Sequence, residues 1–376
     1  VIPICGHILF EPDGSGVRLT ATDSRQYLSE QIAAQVDAQD PAPVTLPLDK
    51  MRAALAAIPD GAQVKIQPDG NRYRMIAHRA RFALDPMDAV EFPQPPHPEG
   101  VALTLPGDIW RRLMTVPAVA IVKNEARKHL EGVHLHCLAR DDQGENEIGG
   151  GLRLRAVATD THRIVIMDIA APPGAADLRL LSDGGVTLPM EHLKTMAALA
   201  SSEADTQVTI ERNKIGIVVG ARRYSSPLVD GQYIMYQNLM PGAPTTVVAL
   251  DAGALTGAAR ALETFAEKGK STGGAATRLT YDGGTMTVSP RHDARDGEAT
   301  AIDLEARCVT GTDAPFSLAV GARYLTSLCE TVSAQTIHIG YYKDGTVITL
   351  TEPDNPDFLA HLARMRIPGA VDAEAA

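Results

Sequence analysis

Apolar positions along this chain recur in two periods that follow one another in a fixed order. After Val44-Thr45-Leu46-Pro47, the residues Leu48, Met51, Leu55 and Ile58 fall on one helical stripe, and stretches 63–67 and 73–76 then alternate apolar with polar as strands do. Pro68-Asp69-Gly70-Asn71 between them is a compact hairpin signal, and Arg81-Phe82-Ala83-Leu84 supplies a third strand. The same order returns from Val186-Thr187-Leu188-Pro189, with a stripe at Met190, Leu193 and Ala197 and strands at 207–210 and 215–219 joined through Asn213. A looser third copy starts at Phe316-Ser317-Leu318, carries Tyr324, Leu325 and Leu328 on its helix, and ends in strands at 336–339 and 346–350. Additional helices are predicted at 107–113 and 254–260, ahead of the second and third copies.

A phrase repeats as well as a pattern. Thr22-Asp23-Ser24-Arg25 closes an alternating strand after a Gly-rich turn, and Thr159-Asp160-Thr161-His162-Arg163 closes another; 281–288 repeats the turn and strand without the Thr-Asp ending. Self-similarity over so long a distance implies duplicated domains, not stacked units of about 20 to 50 residues. Pro-rich breaks at 92–98 and 241–244 set the borders. The expected domains are 1–98, 99–245 and 246–367, followed by a disordered tail at 368–376, with the first domain lacking the opening strand and helix of the other two. The polar run at 140–151 reads as an exposed hairpin tip.

At 376 residues the chain has room for two to three domains. It contains neither a signal-like start nor a run of about 18 apolar residues, so a soluble cytoplasmic protein with no membrane partner is expected. Cys5, Cys137, Cys308 and Cys329 are far apart in apolar contexts, the pattern of buried reduced thiols. A formal charge of -11 argues against a protein basic over its whole surface. It leaves room for a local basic face, and Lys50, Arg52, Arg111, Arg112, Lys194, Arg260 and Arg323 all lie on the recurring helices.

Catalytic and metal chemistry find little support. Asp160 and His162 would share one side of a strand, where Asp could orient His as a base, but no nucleophile motif accompanies them. His134 and His136 alternate onto one face with no completed ligand shell, which favours a solvated strand face over a metal site. Gly269-Lys270-Ser271 lacks the upstream Gly of a phosphate-binding loop. A non-catalytic protein without cofactor or metal is the expectation.

Four motifs in order, Leu130-Glu131-Gly132-Val133, then 155–163, then Leu228-Val229-Asp230-Gly231, then Met365-Arg366-Ile367, resemble the bacterial sliding clamp, the β subunit of DNA polymerase III holoenzyme. The resemblance implies an α+β fold of three repeated clamp domains, with helices lining a central hole and antiparallel sheets outside. It implies a homodimer ring around double-stranded DNA, bound without regard to base sequence. The function implied is processivity: a non-catalytic subunit of a DNA-directed DNA polymerase, a nucleotidyltransferase holoenzyme. Partners would be the polymerase catalytic subunit, the clamp loader and repair proteins, docking through short linear peptides. By the same resemblance, Arg79, Arg81, Asn124 and Lys128 are candidate DNA contacts. The peptide pocket would comprise Arg127, His129, Leu130, Thr159, Thr161, His162, Arg163, Ile164, Ile234, Leu239, Tyr324, His361, Ala363, Met365 and Arg366. Thr161 stands where the family usually has Gly, Ile234 where it has Pro, and His361, Ala363 and Arg364 replace an apolar run with a Pro. The competing expectation is a clamp-derived peptide-binding scaffold that does not encircle DNA.

Overall fold

The alternating stretches fold as antiparallel strands and the helical stripes as short helices, in an order that repeats. A computed structural model describes residues 2–14, 16–37, 42–121, 127–138, 151–181, 184–265, 276–290 and 300–365. The first part runs β1 (His7–Asp13), β2 (Gly16–Thr22), β3 (Tyr27–Ile32), β4 (Val44–Pro47), α1 (Leu48–Ala56), β5 (Lys65–Asp69), β6 (Arg72–Ala77) and β7 (Ala80–Leu84). The second runs β8 (Val101–Leu105), α2 (Gly107–Thr115), β9 (Gly132–Leu138), β10 (Arg153–Thr159), β11 (Arg163–Ala170), β12 (Gly185–Pro189), α3 (Met190–Leu199), β13 (Thr206–Ile210), β14 (Lys214–Val219) and β15 (Arg222–Pro227). The third runs β16 (Thr246–Asp251), α4 (Ala252–Phe265), β17 (Ala276–Asp282), β18 (Thr285–Pro290), β19 (Ile302–Gly311), β20 (Phe316–Gly321), α5 (Ala322–Cys329), β21 (Thr336–Tyr341), β22 (Val347–Glu352) and β23 (Asn355–Ala363). Strand, helix and three strands thus occur twice in each of the last two parts.

The chain forms two compact units. Unit one comprises Val1–Arg111, Pro172–Leu181 and Lys194–Leu228; unit two comprises Arg112–Ala171, Ser182–Leu193 and Val229–Ala376. Unit one holds an eight-stranded sheet in the order β4-β1-β2-β3-β15-β14-β13-β8 and a separate three-stranded sheet β5-β6-β7. Unit two holds a twelve-stranded sheet in the order β12-β9-β10-β11-β23-β22-β21-β16-β19-β18-β17-β20. Each large sheet is built from strands of two successive repeats: β3 pairs with β15, placing Tyr27 opposite Ser225, and β11 pairs with β23, placing Ile164 opposite His361.

Helices cover one face of these sheets. In unit one, Met51 and Ala54 of α1 pack on Leu46, Met75 and Leu84. Trp110 of α2 is fully buried and donates its indole N–H to the Met196 carbonyl at 3.1 Å. Gly107 opens α2 against the Ser201 carbonyl, which would stand 1.9 Å from any Cβ there, so no other residue fits without moving backbone. In unit two, α4 and α5 pack together and bury Leu255, Leu262, Leu325 and Leu328. Each such side chain contributes about 1.5–3 kcal/mol on leaving water.

Several expectations shift. Leu55 is 49% exposed, because the stripe that meets the sheet passes through Met51 and the small Ala54, and the next residue turns about 100° away. The strand expected at 63–67 begins at Lys65. Cys137 and Cys329 are buried, but Cys5 and Cys308 are only half-buried; on β19, Cys308 belongs to a strand exposed along most of its length. Asn124, Arg366, positions 140–150 of the hairpin tip, Gly269-Lys270-Ser271 and the tail lie outside the described residues.

Candidate functional site

The repeated Thr-Asp phrase is one turn built twice. Between β10 and β11 the Thr159 hydroxyl donates to the Arg163 carbonyl at 2.7 Å and accepts the Thr161 N–H at 3.1 Å. Asp160 Oδ1 accepts the N–H groups of His162 and Arg163 at 3.0 and 2.9 Å. Between β2 and β3, the Thr22 hydroxyl donates to the Gln26 carbonyl at 2.8 Å and accepts the Ser24 N–H at 2.9 Å. Asp23 Oδ1 there accepts from Arg25 and Gln26 at 2.9 and 2.8 Å. Both turns pass through the left-handed region, at Ser24 (φ 77) and Thr161 (φ 76). His162 therefore corresponds to Arg25, and Arg163 to Gln26. The expected sharing of a strand face by Asp160 and His162 is not met: both lie in the turn, and the Asp160 carboxylate is spent on backbone N–H groups and, through Oδ2, on Arg163 Nε at 3.0 Å. That geometry commits Asp160 to holding the turn and Arg163.

In unit two the turn places its side chains against α5. The Arg163 guanidinium lies 4.5 Å above the Tyr324 ring and also donates to Ser327 Oγ, and His162 stacks on the same ring at 5.7 Å. The turn is tied to the C-terminal strand by the Ala363 N–H, which donates to the His162 carbonyl at 2.8 Å. Strand registers put Val157, Thr159, Ile164, Ile166, Leu359, His361 and Ala363 on one sheet face. On it, Leu130, Val157, Ile164, Ile166, Tyr233 and Tyr236 form an apolar cluster, with Ile234, Met240 and Leu359 packed against them. Met235 and Leu239 are exposed at its margin, 68% and 61% respectively. Of the expected pocket residues, Leu130, Thr159, Thr161, His162, Arg163, Ile164, Ile234, Tyr324, His361 and Ala363 are thus brought onto one region of unit two. Arg127 is exposed and His129 half-buried in the short turn before β9, and the Met365 N–H donates to the Ala319 carbonyl at 2.7 Å.

The same face carries a buried polar row that the sequence did not announce. His134 and His136, expected on a solvated face, are buried under the segment after β15: His134 stacks on Tyr233 at 4.5 Å and meets Thr187 Oγ1 at 3.1 Å, and His136 Nε2 meets the Tyr236 hydroxyl at 2.8 Å. Beside Tyr236, Arg155 makes two 2.7 Å bonds to Asp168. Burial opposes the Arg155 charge, but the Asp168 pair more than offsets it, so its pKa is raised. Burial drives His134 down to about 4 and, with the Arg155 charge, drives His361 to about 4; it raises the Tyr236 hydroxyl to about 12. His361 Nδ1 meets Thr349 Oγ1 at 2.9 Å. The spacing of Tyr233 and Tyr236 was a usable signal, since both reach the sheet from one short segment.

The candidate DNA contacts that are described fall in different units. Arg79 and Arg81 are exposed on the β6–β7 turn and on β7 in unit one, and Lys128 is exposed in unit two. On the recurring helices, Lys50 pairs with Asp85 at 2.8 Å, Arg260 with Glu330 at 2.6 Å and Arg323 with Glu263 at 3.4 Å. Arg52 and Lys194 point into solvent. Among the described residues, no helix is long and apolar enough to cross a membrane.

Comparison with known proteins agrees with this architecture. Residues 1–96 match the family model for the N-terminal domain of the DNA polymerase III beta subunit, and residues 104–234 match that for its central domain. The beta sliding clamp of Caulobacter vibrioides (strain NA1000 / CB15N) is 26% identical over 374 residues, covering 97% of this chain and 93% of the relative. That of Escherichia coli (strain K12) is 27% identical over 245 residues, covering 65% and 62%. Among solved structures, a Caulobacter crescentus beta sliding clamp with bound PEG superposes with a TM-score of 0.83 at 24% identity, covering 98% of this chain and 92% of that one. A Bartonella birtlesii sliding clamp bound to griselimycin gives 0.83 at 22% identity, covering 98% and 93%.

Proposed function

The chain belongs to the DNA polymerase III beta-subunit family, the bacterial sliding clamps, and from that premise we propose how its parts divide the work. The protein is a non-catalytic clamp that encircles duplex DNA and tethers the polymerase and other replication or repair proteins, conferring processivity. Its three domains are 1–98, 99–245 and 246–367, and it acts in the cytoplasm. The observation that carries ring closure is the repeated joint. Twice, the last strand of one repeat pairs antiparallel with the third strand of a neighbouring half-repeat, β15 with β3 and β23 with β11. The third instance lacks a partner among the described residues. β7 has one neighbour, and the start of β19, Ile302–Glu305, is paired only with β18 among the described residues. Two copies joined β7 to β19 satisfy both edges and close a ring.

A collar that slides must meet phosphates and not base edges. Arg79, Arg81, Asn124 and Lys128 are the proposed contacts. A second reading applies to the two arginines: Arg81 lies on the free edge strand, and β19 offers the exposed carboxylates Asp303 and Glu305, so the pair would serve ring closure. The peptide pocket is proposed over the unit-two apolar cluster, with Leu130, Ile164 and Ile234 as anchoring walls and the Arg163–Tyr324–His162 stack as its rim. No observation favours a scaffold that does not encircle DNA.

Sedimentation and loading test this reading. A dimer at micromolar concentration that stays on closed circular DNA after loading, and slides off when the circle is cut, is the expected result. A strict monomer with no topological retention overturns it.

A further inference from the structure

The two joints differ in what covers the sheet face beside them. Superposing the repeated turns aligns Arg18 with Arg155, Ser29 with Ile166 and Gln31 with Asp168; the joint registers align Arg223 with Leu359 and Ala221 with Asp357. In unit two this region is filled. Arg155 is clamped by Asp168, Ile166 and Leu359 join the apolar cluster, and Arg153 pairs with Asp357. In unit one the counterparts of Arg153 and Asp357 are Gly16 and Ala221, which bring no more than one methyl group to the space. Gly16 cannot be larger, because a Cβ there would stand 2.2 Å from the Ile32 carbonyl oxygen. What remains is a cavity of about 220 Å³ lined by Asp13, Arg18, Ser29, Gln31, Ala221 and Arg223, with Gly220 and Glu30 completing its wall.

We infer that this cavity is a second docking site, one that receives a carboxylate side chain from an acidic segment of a partner protein. Its chemistry is set by two guanidinium groups. Arg18 is 3.9 Å from Asp13, too far for a strong pair and 40% exposed, and the Arg223 guanidinium has no partner among the described residues. The Glu30 charge in the wall is offset by its pair with Arg222 at 3.1 Å. Asp13 accepts from the Gln31 amide at 2.9 Å and offsets one of the two cationic charges. The cavity is left one charge positive, which suits a monoanion better than a dianionic phosphate. Planar guanidinium groups present paired N–H donors that match the two oxygens of a carboxylate. The Ser29 hydroxyl stands opposite Arg223 in the strand register and adds a neutral donor. Where unit two presents apolar walls at this point of the repeat, unit one presents charge, so the two sites select different segments. The cavity belongs to unit one and does not depend on the peptide pocket proposed for unit two.

Amide-resolved NMR of the full ¹⁵N-labelled chain tests it. Titration with a capped glycyl-glutamyl-glycine peptide is expected to shift the Ser29, Gln31 and Ala221 amides saturably. Arg223→Gln should weaken binding about tenfold, the worth of one charge-assisted hydrogen bond, while Arg223→Lys retains part of it. Equal shifts from the glutaminyl peptide, or tighter binding by inorganic phosphate than by the glutamyl peptide, overturn the assignment. Unchanged affinity in Arg223→Gln, with the fold intact by its unshifted core amides, does so as well.

Discussion

Thr161 holds a β-branched side chain at φ 76, a conformation that costs about 1 kcal/mol or more outside glycine. The turn tolerates it because Thr159 and Asp160 fix the surrounding N–H groups. Thr161→Gly is therefore expected to raise unfolding free energy by up to about 1 kcal/mol, net of the freedom glycine restores to the unfolded chain; urea denaturation checks it, and a loss of stability would contradict the strain. The buried histidines make a second prediction. In the unfolded chain His134 and His361 gain protons near pH 6.5, whereas folded they resist until about 4. Their contribution is fully present above pH 6.5 and is lost as pH falls from there toward 4, roughly 3 kcal/mol for each at about 1.4 kcal/mol per pH unit. Urea midpoints at pH 7.5 and 4.5 should show that fall, and His134→Leu combined with His361→Leu should flatten it. Of this the sequence displayed the Thr-Asp words twice but not their left-handed turn. It showed His134 and His136 alternating but not the tyrosines, a hundred positions on, that bury them.

Elements were legible where the code is local. The hairpin at Pro68-Asp69-Gly70-Asn71 joins β5 and β6 through Gly70 at φ 65, as its residues require. Joints were not legible, because nothing near β11 names β23 as its neighbour, and a strand's edge chemistry is the same backbone whatever pairs with it. The two roles open to Arg79 and Arg81 separate at this level. If they close the ring, Arg79→Glu with Arg81→Glu should dissociate the dimer at micromolar concentration, and adding Asp303→Arg with Glu305→Arg should restore it. If they bind DNA, the dimer survives and the salt dependence of DNA binding flattens, by about one in log–log slope for each phosphate that is no longer neutralised. Analytical ultracentrifugation beside DNA titrations at several salt concentrations decides.

Over the whole molecule, a net charge of -11 coexists with exposed cations such as Arg52, Arg81 and Lys194, whereas Arg260 and Arg323 on the recurring helices are paired with carboxylates. The threefold repeat was readable, yet each large sheet draws on two repeats, so no repeat owns the surface it completes. That arrangement sets a schedule for the ribosome. Arg153 and Asp357, paired across the β11–β23 side of unit two, lie 204 residues apart, and Arg222 and Glu30, paired across β3 and β15, lie 192 apart. At about 5–20 residues per second, each early strand waits roughly 10–40 s for its neighbour to be made. During that interval its edge is bare, and a nascent chain on the next ribosome of the same message presents the same bare edge.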